Sequence, residues 1–189
     1  SNNWYFGIHA GISFNSGAPV ALTNGSLSTH EGVASVSDSS GNLLFYTDGK
    51  IVYDATHASM QNGTNLTGNA SSTQSAIIVK KPMSNSLYFI FTMGDITSSA
   101  GLRYSIVDMT QNGGLGAITM KNVLVYSSAR EKLTSLKHAN GTDYWVLIND
   151  YNNDQLRAYR LDSNGLDTSA VVSNAGPIRY GTYSYSLGY

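Results

Sequence analysis

Three times along the chain the same unit returns: a short apolar strand, a polar turn, then a strand rich in aromatic and aliphatic residues. The copies read VASVSDSSGNLLFYTDG from Val33, AIIVKKPMSNSLYFIFTM from Ala76 and LTSLKHANGTDYWVLIND from Leu133. A third strand is readable after each, at Ile51 to Asp54, Leu102 to Met109 and Leu156 to Leu161, and LRYSI and LRAYRL are visibly related. A fourth follows at Val123 to Tyr126 in the second copy and at Ala170 to Ser173 in the third, while the matching segment around Met60 is too polar to read as a strand. Each unit therefore reads as a four-stranded antiparallel meander.

The equivalent turn positions Gly41, Asn85 and Gly141 are separated by 44 and 56 residues, near the ~40 to 50 residues of a propeller blade. A four-stranded sheet repeated at that period cannot bury both faces alone, so radial stacking is the natural solution. A β-sandwich is the rival, but it does not predict recurrence of the whole unit. Asn140-Gly141 suits a tight hairpin because both residues tolerate positive φ. Helical periodicity is nearly absent, and only Ser128 to Leu136 also suits a short amphipathic helix.

The fold class expected is thus all-β, a β-propeller of four-stranded antiparallel blades with about three blades present as a partial or open ring. The division is N-terminal strands over 1–28, blades over 29–70, 71–128 and 129–178, and the start of a further blade over 179–189. Trp4 to Phe14 and Val20 to Leu22 supply the N-terminal strands, and YSYSLGY begins the further copy. Three blades do not close a ring, about four being the smallest number that does. The expectation is therefore that a longer polypeptide, or a partner, completes the stack.

Composition narrows the partners. Charged residues make up 12 % of the chain, about half the usual ~25 %, so hydroxyls and amides must solvate most of the surface. Phosphate binding needs a basic stripe, whereas the 11 Lys and Arg are scattered, which argues against a nucleic-acid partner. There is no Cys, hence neither a disulfide nor a thiolate metal site. No apolar run approaches the ~20 residues that cross a bilayer as a helix, so membrane insertion is not expected. The opening SNNWYFG carries neither region of a signal peptide.

The residues NNWYFG with AGISF, GNLLFYTDG, MQNGTNLTGNASSTQSAIIVKKP, LRYSIVDM with NGGLGAI, and KHANGTDYWVL resemble, in that order, the N-terminal propeller region of large secreted Bacteroidetes surface proteins. Such proteins commonly end in a gliding-motility-associated or type IX secretion sorting domain. The likeness runs over nearly the whole chain. It implies a secreted or cell-surface location, a signal peptide removed before Ser1, and envelope proteins or polysaccharide as partners. Two departures are Tyr53 where the family pattern usually has Trp, and Gln61 where it has Pro.

Familiar catalytic patterns are missing from the sequence. His9, His30, His57 and His138 do not have zinc-ligand spacing and read as turn or strand-face residues. There is no nucleophile elbow, and GGLG from Gly113 lacks the ending of a phosphate loop. DSSGN from Asp38 reads as a turn in which the Asp bonds its own backbone. No cofactor is expected, apart from a weak calcium signal in the acidic loop Asp150 to Asp154. Trp4, Tyr5, Phe45, Tyr46, Tyr88, Phe89, Tyr144 and Trp145 read as core residues, since neighbouring blades would cover both faces of each strand.

Antiparallel topology brings the segments entering each first strand to the same end as the loops between second and third strands. That end gathers an acidic, amide-rich rim of Glu31, Asp48, Gln74, Asp95, Glu131, Asp150, Asn152 and Asp154, while Lys80, Lys81, Lys137 and His138 fall at the other. The rim suits a cation or a polyhydroxylated glycan, or else its charges simply solvate loop ends. The function expected is a non-enzymatic binding or scaffold module of a large adhesin-like protein in gliding or surface attachment. The alternatives are a secreted glycan-active enzyme using the rim, which needs carboxylates about 5 to 9.5 Å apart, and a structural subunit completed by a partner chain.

Overall fold

The structure, a computed structural model, describes residues 1–175 apart from Ile96 and Asn152, and of Arg130 the backbone alone. The described residues are all-β, and their sheets are antiparallel. Four sheets follow one another in chain order. The first contains β1 (Asn3–Phe6), β2 (Ala10–Ser13) and β3 (Val20–Leu22); the second contains β4 (Ala34–Ser37), β5 (Leu43–Thr47) and β6 (Val52–Asp54). The third runs β7 (Ala76–Lys80), β8 (Leu87–Met93), β9 (Leu102–Asp108) and β10 (Ala117–Tyr126). The fourth runs β11 (Ala129–Lys137), β12 (Tyr144–Asp150) and β13 (Gln155–Asp162), with β14 (Gly165–Leu166) and β15 (Val171–Asn174) both paired to β13.

The third sheet has the four strands expected. The fourth has the expected strand near Ala170 to Ser173 as β15 beside β13, with the two-residue β14 in addition, whereas the second has only three strands. In the second, Met60 is buried and its segment makes only the bridges Tyr53 to Ser59 and Gln61 to Ala117. Too few β-branched or aromatic residues lie there to extend a ladder. The stretch read as strand or helix from Ser128 is strand throughout β11, because Leu133 faces the core while Leu136 remains 47 % exposed, an alternation no helix would give. The Asn140-Gly141 turn also differs: only Gly141 has positive φ, at 77°. The loop spans His138 to Asp143, and the Asn140 side chain accepts from the Thr142 and Asp143 amides, both at 3.1 Å. The segment expected to begin a further blade over 179–189 lies outside the described residues.

Side-chain alternation explains the stacking. On β5, Phe45 packs toward the third sheet with Tyr88 and Ile90, while its neighbour Tyr46 packs toward the first with Tyr5. On β8, Tyr88 and Ile90 face the second sheet, whereas Phe89, Phe91 and Met93 face Leu133, Val146 and Ile148 of the fourth. Both central sheets are thus covered on both faces, which their nearly unbroken apolar runs require. β1 instead alternates, with Asn3 and Tyr5 buried and Trp4 and Phe6 outward. Trp4 is 51 % exposed and meets Phe14 edge to face at 5.3 Å, so it departs from the expectation of a core role. Tyr144 and Trp145 are half-buried, and the other five aromatics of that group are buried.

Candidate functional site

The rim residues sit where the sheets enter and where their second and third strands join. Asp48 closes the turn between β5 and β6, its Oδ1 accepting from the amides of Lys50 and Ile51 at 2.8 Å each. Gly49 follows with φ 84°, a conformation that favours glycine. Ser75 ties this turn to the next sheet, its hydroxyl donating to the Asp48 carbonyl at 2.6 Å. Asp95 accepts from Asn69 Nδ2 at 2.8 Å and from the Thr97 amide at 3.0 Å.

Gln74 and Glu131 are brought together across the seam between the third and fourth sheets. Glu131 Oε2 accepts from the Thr73 amide at 2.7 Å, and Gln74 Oε1 accepts from the Leu133 amide at 2.8 Å. Glu131 is 1 % exposed, which sequence alone gave no reason to expect of a rim acid. Asp150 is also drawn inward. Its Oδ2 accepts from the Tyr126 hydroxyl at 2.6 Å and from Arg157 Nη2 at 3.0 Å. The Arg157 guanidinium lies 4.1 Å above the Tyr126 ring, a stacked geometry that strengthens the group. Burial pushes the Asp150 carboxyl up, but the Tyr126 hydroxyl and the Arg157 guanidinium outweigh it and hold it below the usual carboxylate value.

Glu31 is exposed, and Asp154 is half-buried with its carbonyl accepting from the Ala175 amide at 3.0 Å. Asn152 lies outside the described residues. Asp48, Asp95, Glu131 and Asp150 all accept from the chain's own donors. Their chemistry is that of latches between loops and between sheets. Among the described residues no three His, Asp or Glu converge in a way that could hold a metal. Sequence reading missed Asn69, Tyr126 and Arg157, whose side chains donate to these acids, and Ser75, which donates to the Asp48 carbonyl. Only Arg157 left a signal, as one of two cations, with Arg160, in the strand QLRAYRLD.

A second polar arrangement seals the first seam. Tyr5 and Tyr46 stack at 4.5 Å, and the Tyr46 hydroxyl accepts from the Ser26 amide at 2.9 Å and lies 3.1 Å from His57 Nδ1. Asn24 Nδ2 donates to His57 Nε2 at 2.7 Å. His9 and His57 occupy turns, with φ of 55° and 68°.

Comparison with protein-family models, curated proteins and solved structures gives no match.

Proposed function

We propose that the chain is a propeller segment serving as a non-enzymatic binding and scaffold module of a secreted or cell-surface protein. The observation that supports this most is the sequential stack: two central sheets apolar on both faces, and a first sheet whose outward face still carries Trp4, Phe6 and Phe14. Such a stack is suited to continuation by further sheets, which would cover that face as each central sheet is covered now. The rim acids add to the reading. Glu131 and Asp150 latch the third sheet to the fourth, which suits the rigidity a display scaffold needs.

Glycan-array binding with a parallel calcium titration tests the function. Specific binding without turnover is expected, and measurable turnover of any bound glycan would overturn the non-enzymatic reading. The architecture has its own test. In a Trp145→Phe variant, Trp4 emission is expected to shift to the blue when further sheets are present in the same molecule; an unshifted spectrum would count against a continuing stack.

A further inference from the structure

At the rim the guanidinium of Arg157 is paired with Asp150, whereas the opposite end of the molecule gathers lysines. Lys80, Lys81 and Lys137 line one cleft of about 220 Å³ at the seam between the third and fourth sheets, together with Ser84, Thr142 and Tyr144. None of the three lysines makes an ion pair among the described residues. The nearest acid in sequence, Asp143, is already engaged by Arg160 Nε and Asn140 Nδ2, each at 2.8 Å. Ser84 Oγ accepts from the Ser86 and Leu87 amides, which leaves its proton free to donate. Lys80, Lys81 and Lys137 line this cleft with no acid among its lining residues, so its charge attracts an oxyanion.

Lys80 also lines a second cleft of about 510 Å³, at the seam between the second and third sheets, with Leu44, Tyr88, Met109, Asn85 and Asp38. Its ammonium lies 6.0 Å from the Tyr88 ring centre. This cleft joins apolar and aromatic surface to an amide. Its one acid, Asp38, is occupied by the Ser40 and Asn42 amides at 2.9 and 2.8 Å. The two clefts share Lys80 and run along the same end of adjacent sheets, one amphiphilic and the other cationic.

We propose that they form a single groove for an acidic polysaccharide. The carboxylate or sulfate of one sugar sits among Lys80, Lys81 and Lys137, and the adjoining ring lies against Leu44, Tyr88 and Met109. A polyphosphate backbone fits less well, because nucleic acid needs an extended row of cations and the second cleft supplies an apolar wall instead. The proposal rests on the surface-module reading above and names the ligand class and the face that takes it.

Titration calorimetry on the full chain tests it with four probes: a uronic-acid oligosaccharide, a sulfated oligosaccharide, an uncharged oligosaccharide of equal length, and inorganic sulfate. At least one acidic probe is expected to bind about tenfold or more tightly than the uncharged one, weakening as salt is raised. Which acidic probe binds identifies the anion. The double variant Lys81→Ala/Lys137→Ala is expected to lose that preference, Lys81→Arg/Lys137→Arg to keep it, and Lys121→Ala on another surface to bind as the parent does. Unchanged binding by the double alanine variant would overturn the groove, as would equal weakening by Lys121→Ala, or inorganic sulfate binding as tightly as the oligosaccharide. If glycans still bind the double alanine variant, the surface-module reading stands and only the groove falls; if no glycan binds the parent at all, both fall.

Discussion

At Glu131 a carboxylate at 1 % exposure, on a residue with φ 61°, accepts from the Thr73 amide of the preceding sheet. A buried acceptor of this kind matters mainly through what its loss leaves unpaired. Glu131→Ala is expected to lower unfolding free energy by about 1–3 kcal/mol, and Glu131→Gln by less since its amide oxygen can still accept; urea unfolding measures both. Asp150 supplies a pH dependence of definite sign. Its folded pKa lies below the unfolded one, so its contribution is complete above the ordinary value of 3.8 and is lost as pH falls through the folded value. The melting temperature is therefore expected to fall on acidification below about pH 4. Asp150→Asn should melt lower at neutral pH and show a shallower fall.

Among the elements, the seam between the second and third sheets is closely built around Ser75. Ser75 is fully buried, its hydroxyl donates to the Asp48 carbonyl, and Gly32, Gly49 and Gly68 all lie against it so closely that a Cβ would overlap. Gly49→Ala adds strain at φ 84° to that overlap. A loss of about 1–3 kcal/mol is expected, read as a lower urea midpoint with an unchanged slope. β8 and β12 were readable from the sequence because β-branched and aromatic runs bounded by turn residues have few other solutions. The polar segment around Met60 already spoke against a fourth strand in the second sheet, but the short β14 was not readable, since a two-residue strand leaves no periodicity. Strand order assigns the rim residues to one end of the sheets. It does not dictate their burial, because a bond such as Gln74 to the Leu133 amide joins positions far apart in sequence and depends on how two sheets meet. The lysine groove was half legible: strand order put Lys80, Lys81 and Lys137 at one end, but only the packed seams reveal a concave surface there.

Over the whole molecule, tyrosine is the commonest aromatic, at 13 residues, and it occupies every seam. Burial raises the pKa of Tyr5, Tyr46, Tyr53, Tyr88, Tyr126 and Tyr159 above 10.0. A raised phenol pKa stabilises the fold below the unfolded value, and that contribution is lost as pH rises through the folded values. Unfolding above about pH 10 is therefore expected to be accompanied by ionisation of these phenols, visible as a late step in the ultraviolet titration. A titration complete before the far-ultraviolet circular dichroism changes would contradict it.

Because the four sheets are consecutive in sequence, nearly all their ladder bonds close within a sheet, and neighbours are joined by side chains and a few latches. Under tension such a molecule behaves less like a single knot than like a row of clasps. Pulled from its two ends in an optical trap, it is expected to lengthen in separate jumps, each releasing one sheet, with the Ser75 and Glu131 seams yielding last. An attachment protein made this way would absorb a sudden load by letting out chain and then take it in again when the load passed.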